Sequence, residues 1–290
     1  MIPGSFDYYV PASLDEAIAL MTKLGDSAKI LAGGQSLIAA MRFRLASPEN
    51  LVDINRIPEL SKLQEDGGFL LIGALVREHQ LDESALVAKS YPLLHDTSRV
   101  IADPIVRNQA TVGGNLAHAD PANDHPATML AYDAAVIARG PNGTRTIAID
   151  DFFVGLFENS LAPGEILTAI RIPKPGRGAG GAYMKIERKV GDYAVAAVAV
   201  QLTLTAGKIS AIRIGLTNVA SVPMRATHAE TALIGNAPSD AALTAAAKAA
   251  SEECDPSPDL RGSVDYKRDL VRVLIQRTVR KALERAGGAR

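Results

Sequence analysis

The stretch PKPGRGAGG at residues 173–181 limits the fold most, because prolines and glycines accumulate there without any apolar periodicity. Proline removes a backbone donor and glycine weakens regular structure, so neither a helix nor a central strand is expected to run through it. The chain therefore divides at this point, and its 290 residues are enough for more than one core. Before the break, strand-like and helix-like patterns alternate. Residues 13–24, SLDEAIALMTKL, begin with a Ser cap and an acid three residues later, and set Ala17, Ile18, Met21 and Leu24 on one helical stripe. AKIL, LVDI, FLLIGAL and AAVIARG (residues 28–31, 51–54, 69–75 and 134–140) read as strands, and residues 84–90 and 126–131 as helices. Beyond the break, AVAAVAVQLTL and ISAIRIGLTNV flank AGK as a hairpin, followed by helices over residues 240–253 and 265–285. The class is α+β, with a smaller α+β unit at the C-terminal side.

Composition narrows the functions open to such a chain. Hydrophobic residues make up 47%, charged residues 22% and the net charge is −1, a profile of soluble globular proteins rather than of nucleic-acid-coating ones. No basic start followed by an apolar run opens the sequence, and no uncharged apolar run reaches eighteen residues, so a cytoplasmic protein without a transmembrane segment is expected. The basic run on the last helix (Lys267, Arg268, Arg272, Arg277, Arg280, Lys281, Arg285) reads as a solvated face that also suits the helix C-terminus. The lone Cys254 can form no internal disulfide and cannot hold an iron–sulfur cluster by itself. Any redox centre must be an organic cofactor or belong to a partner.

Two glycine pairs carry the strongest chemical signal. AGGQSL (residues 32–37) lies between an expected strand and helix, where main-chain N–H groups and a helix start can receive a phosphate. TVGGN (residues 111–115) repeats the arrangement, with Thr111 offering a hydroxyl and Asn115 an amide. Neither is the G-x-G-x-x-G of a dinucleotide fold nor a Walker sequence, and an ordinary turn would explain either one alone. Together they suit a ligand with two phosphates.

Further along, HADPANDH offers His118, Asp120, Asp124 and His125 as metal ligands, but its spacing matches no established metal motif and its proline favours an irregular loop. No metal site and no catalytic side chain is therefore expected. His79, His95 and His228 stand apart, and no nucleophile elbow accompanies them. KIERKVGDYA (residues 185–194) brings Tyr193 together with Lys185 and Asp192, where a tyrosine could be core or could cover a flat ring.

AGGQSL, ADPIVRNQATVGGNLAHADPANDHPA and KIERKVGDYA resemble the three signature regions of the FAD-binding medium subunits of the molybdenum hydroxylase (xanthine dehydrogenase) family. The resemblance runs from PGSFDYYVPASLDEA to the terminal helix and is strongest to the medium subunits of aerobic carbon monoxide dehydrogenases. It implies two FAD-binding subdomains of the vanillyl-alcohol-oxidase (PCMH) type over residues 1–57 and 58–175, then a flavoprotein C-terminal domain over residues 179–287. It also implies that Ala32, Gly33, Gly34, Gln35, Ser36 and Leu37 form one pyrophosphate loop and Thr111, Gly113, Gly114 and Asn115 the other. Asp124 would bind the sugar or ribityl part, Lys185 would lie near the flavin end, and Tyr193 would stack beside the isoalloxazine.

The activity so implied is electron relay. A large subunit with a molybdenum cofactor would oxidise the substrate, a small subunit with 2Fe–2S clusters would pass electrons on, and FAD in this chain would deliver them to an external acceptor. The complex would be a dimer of heterotrimers, cytoplasmic and touching the inner face of the membrane only through the complex. The best-defined carbon monoxide dehydrogenases resemble AGGHSL at the first loop, whereas Gln35 is common among relatives acting on other small molecules such as aldehydes, purines or N-heterocycles. A flavoprotein oxidase acting alone would need its own substrate pocket and base, and the sequence offers neither.

Overall fold

The computed structural model describes residues 2–287. Its first layer consists of β1 (Asp7–Tyr9), α1 (Leu14–Leu24), β2 (Ala28–Leu31), α2 (Leu37–Arg42) and β3 (Asn50–Asp53). The strands are parallel in the order β1-β3-β2. The expected start of α1 is present: Ser13 accepts from the Glu16 N–H at 3.2 Å, and the Glu16 carboxylate accepts from the Ala12 N–H at 2.7 Å. Leu14, Ala17 and Ile18 are buried from this helix, in a core shared with Val52 and Ile54 that reaches Leu75 and Ile166 of the next layer.

Leu37, Ile38, Met41 and Leu45 recur at helical spacing after the first glycine pair and predict a helix through Leu45, but the helix does not run that far. α2 closes after Arg42, because Arg44 takes a left-handed φ of 61° and the Leu45 N–H returns to the Ala40 carbonyl at 2.9 Å. Only Met41 of that stripe is buried, and Leu45 is 83% exposed.

The second layer begins with β4 (Leu63–Asp66) and β5 (Phe69–Gly73). Six helices follow: α3 (Glu78–Glu83), α4 (Ala85–Ser90), α5 (Pro92–Ser98), α6 (Pro104–Arg107), α7 (Val112–His118) and α8 (Asp124–Tyr132). The chain then returns through β6 (Ala135–Gly140), β7 (Gly143–Ala148), the small hairpin β8 (Phe153–Gly155) and β9 (Glu158–Asn159), and β10 (Ile166–Pro173). The sheet is antiparallel in the order β4-β5-β10-β6-β7, so its last strand in sequence is its centre.

After residues 174–178 comes the third sheet, β11 (Ala179–Ile186), β12 (Ala196–Thr205), β13 (Lys208–Thr217) and β14 (Met224–Arg225), in that order. Gly180 and Gly181, at the end of the proline-glycine stretch, already belong to β11. The β12–β13 hairpin turns at Ala206 and Gly207, both at positive φ (50° and 76°), a geometry that matches strand twist. α9 (Thr227–Leu233), α10 (Asp240–Glu253) and α11 (Val264–Arg285) complete the chain.

β12 explains the almost unbroken apolar run AVAAVAV. Ala196, Val198 and Val200 point into the core with α10 and α11, whereas Ala197 and Ala199 point into the core with α5 and α8. Both faces are covered, so neither needs polar side chains. α8 lies against this sheet with every residue buried.

The basic run on α11 is not a free face. Lys267 is buried and bonded to Asp259 at 2.8 Å, while Lys281 and Arg285 both reach Asp96 of α5. Among the described residues no helix is long and apolar enough to cross a membrane.

Gly215 of β13 touches the Ala127 backbone of α8, and any Cβ there would overlap the Ala127 carbonyl. Gly215→Ala should lower stability by about 1–3 kcal/mol in denaturant unfolding. Gly207→Asn, whose new side chain meets open space at a φ that Asn tolerates, should change it by less than about 0.5 kcal/mol.

Candidate functional site

The two glycine loops lie against each other. A Cβ on Gly33 would overlap the Gln109 carbonyl oxygen and come within 2.9 Å of the Ala110 Cα, so only a bare backbone fits between the first and second layers here. Asn55 secures one side, donating to the Ala32 carbonyl at 2.8 Å and accepting from Arg77 at 2.5 Å. Arg77 also donates to the Gln109 carbonyl. Gly34 turns the chain at a φ of 72° before Leu37 opens α2.

The second loop is held from behind. The Val112 N–H donates to the Val76 carbonyl at 3.0 Å and the Gly113 N–H to the Ala74 carbonyl at 3.1 Å. A Cβ on Gly113 would fall 2.6 Å from the Ala74 Cα, so this glycine too serves backbone contact. Thr111 caps α7, its buried hydroxyl accepting from the Gly114 N–H at 3.1 Å and keeping its own proton to donate.

The loops consequently differ in what they can offer. Gly113, Gly114 and Asn115 spend their N–H groups on Ala74 and Thr111. By contrast, the N–H groups of Gly33, Gly34, Gln35 and Ser36 donate to no acceptor among the described residues. The first loop therefore has N–H groups free for an outside acceptor, and the second adds the Asn115 side chain, whose buried Oδ1 has no partner among the described residues.

A cleft of about 270 Å³ opens between the loops, and Gln35, Ser36, Asn115, Asp124 and Tyr193 all line it. At its floor Asp124, at the start of α8, accepts from the Tyr183 hydroxyl at 2.5 Å and from Lys185 at 3.1 Å. Burial pushes the Asp124 carboxyl above its ordinary range, with Lys185 and Tyr183 pulling the other way. Lys185 is almost fully buried and also donates to the Val100 and Asp192 carbonyls, so it reaches the cleft through Asp124. His125 beside it is bonded to Glu78 at 2.7 Å, both fully buried.

At the rim, Tyr193 is 43% exposed and stands on the segment after β11. The remaining predicted residues, Ala32, Gly33, Gly34, Leu37, Thr111, Gly113 and Gly114, build the frame rather than the lining. His118 leans on Phe157, Asp120 accepts from the Ala122 N–H, and no group of three or more His, Cys, Asp or Glu among the described residues could hold a metal ion. Sequence reading missed Asn55, Arg77 and Tyr183. Strand alternation would have found Tyr183, which shares the face of Lys185 two residues on. Nothing local marks the other two.

Free amides beside a cleft with an unpartnered Asn115 oxygen fit a ligand carrying phosphates and polar sugar or ring edges. Residues 4–175 match the family described as the FAD binding domain in molybdopterin dehydrogenase, and residues 181–282 the one described as the CO dehydrogenase flavoprotein C-terminal domain. The carbon monoxide dehydrogenase medium chain of Afipia carboxidovorans is 46% identical, over 99% of both chains. The 6-hydroxypseudooxynicotine dehydrogenase complex subunit alpha of Paenarthrobacter nicotinovorans is 40% identical, over 99% of this chain and 97% of its own. A solved chain of the Hydrogenophaga pseudoflava carbon monoxide dehydrogenase superposes with a TM-score of 0.97 at 46% identity, covering 98% of this chain and 99% of that one.

The contact between loops gives a direct test. Gly33→Ala should cost about 1–3 kcal/mol in thermal or denaturant unfolding and speed amide exchange at residues 109–111, because the backbones must separate. Gly176→Ala, where a Cβ meets nothing within 4 Å, should do neither.

Proposed function

The chain belongs to the FAD-binding medium subunits of the molybdenum hydroxylases, and from that premise we propose that it carries electrons from the iron–sulfur clusters of a partner subunit to an external acceptor. The observation that carries the reading is the row of uncommitted N–H groups at residues 33–36, of which Gln35 and Ser36 line a cleft bounded by the second glycine loop. In this reading those amides receive the pyrophosphate, with Ala32 and Leu37 fixing the ends of their loop. Thr111, Gly113, Gly114 and Asn115 bound the other side. Asp124 orients the sugar or ribityl hydroxyls, and Lys185, together with Tyr183, keeps that carboxylate in place. Tyr193 covers one face of the ring.

FAD supplies the ability to take electrons singly and release them singly or as a pair. The chain's own residues bind it, orient it and limit access to it, and none need act as nucleophile or base. Residues 1–57 and 58–175 form the two halves of the FAD-binding unit and residues 179–287 the C-terminal domain. A large molybdenum-cofactor subunit and a small subunit with 2Fe–2S clusters complete a heterotrimer, paired into a heterohexamer. The substrate is a small molecule oxidised in the large subunit. Carbon monoxide is the first candidate, given the 46% identical medium chain. A relative at 40% identity named for 6-hydroxypseudooxynicotine, together with Gln35 in the first loop, keeps an N-heterocycle as the second.

The purified complex should contain three different chains, and acid should release one FAD per copy of this chain. FMN in its place, or flavin retained on the denatured polypeptide, would contradict the reading. Tyr193→Ala should change the rate at which reduced flavin is reoxidised by acceptor while substrate still reduces the clusters at the unaltered rate. Rapid-mixing spectroscopy separates the two signals, and loss of cluster reduction in an assembled complex would sink the relay.

A further inference from the structure

The segment that carries Tyr193 is not held by its own layer alone. Arg261, from the loop between α10 and α11, donates to Asp192 Oδ1 at 2.8 Å, and its guanidinium lies 5.5 Å from the centre of the Tyr193 ring. The same Asp192 oxygen accepts from the Tyr193 N–H at 2.8 Å, and Arg188 approaches the other oxygen at 3.6 Å. The Arg261 guanidinium holds the Asp192 carboxyl below its ordinary range. Among the described residues Arg261 Nε and Asp192 Oδ2 are both buried without a hydrogen-bond partner, so the pair meets through one arm of a fork that could engage two.

Arg261 is itself aimed by a built turn. Asp259 accepts from the N–H groups of Arg261 and Gly262 at 2.7 and 3.0 Å through Oδ1, and from the buried Lys267 of α11 at 2.8 Å through Oδ2. Lys267 also donates to the Ser257 carbonyl at 3.1 Å, tying the turn to the helix at both Ser257 and Asp259. A continuous path of charge-assisted bonds therefore runs from the C-terminal helix core through Asp259 and Arg261 to the cleft rim. A lysine buried on a helix is costly unless paired, and this one spends its pairing on the turn.

We propose that Arg261 is the positioning residue for Tyr193, and that the turn anchored by Lys267 and Asp259 sets how freely the rim of the cleft opens. The role toward bound flavin rests on the reading of the cleft given above; the role toward residues 187–193 does not. Arg261 touches the rim and not the floor, so it governs entry and escape rather than the contacts with Asp124.

Hydrogen exchange on the full-length chain without flavin tests the first claim. In Arg261→Ala the amides of residues 187–193 should exchange about tenfold faster or more, with α11 unchanged, since a charge-assisted bond and a ring contact are lost together. Asp259→Asn should move the same amides in the same direction. Unchanged exchange there in both variants would overturn the proposal. In the assembled complex, Arg261→Ala should raise the FAD dissociation rate about tenfold, and this effect should vanish in a Tyr193→Ala background. An equal effect with and without the Tyr193 ring would show that Arg261 does not act through it. A wild-type complex that binds no FAD would overturn the reading of the cleft, while the exchange measurement would still judge the positioning claim.

Discussion

Everything at the cleft depends on two backbones being allowed to touch. Gly33 against Gln109 and Ala110 brings the first layer within bonding reach of the second, and only then can Arg77 span Asn55 and the Gln109 carbonyl. The amides of residues 33–36 stay uncommitted because the loop is braced through its carbonyls, Ala32 accepting from Asn55 and Gly34 from the Ile38 N–H. A loop that satisfied its own donors would be as stable and could hold nothing. Glycine here is first a packing residue, and its value to the proposed pyrophosphate follows from that.

The floor obeys a different rule. Placing Asp124 and Lys185 out of water carries a desolvation cost that their attraction offsets only with good geometry and further hydrogen bonds. Tyr183, Val100 and Asp192 supply those bonds, each from a different stretch of chain. The cluster binds β11 of the third sheet to α8 of the second layer at the base of the cleft. Removing Lys185 would leave Asp124 buried without its cation, a loss on the order of 3–5 kcal/mol, whereas Lys185 keeps Glu187 at 3.2 Å if Asp124 is removed.

Local signals were legible and distant ones were not. The Ser13 cap, the β12–β13 hairpin and the bounds of α10 follow from patterns a few residues wide, and each stands where the pattern puts it. The α2 stripe misled because periodicity says nothing of a left-handed residue such as Arg44, which stops the helix before its apolar face is used. Lys267 looked solvated because its partner Asp259 lies in an irregular loop whose course no periodicity describes. Gln35, Ser36, Asn115, Asp124 and Tyr193 were found through motifs and do share one cleft. Arg261, Arg77 and Asn55 act on it through partners far away in sequence, as with Arg261 and Asp192 at a separation of 69 positions, and such pairings exist only once the layers have met.

The two-faced strand β12 bears on how the protein is made. The core beneath the second layer includes Tyr183, Ala197 and Ala199, so one of its walls is supplied by residues that leave the ribosome after the whole second sheet. Until they emerge, α5 and α8 have an apolar side with nothing against it. The order of synthesis thus sets a window in which the nascent chain is adhesive; residues 197 and 199 cover α5 and α8 from one face of β12, while its other face waits for α10 and α11.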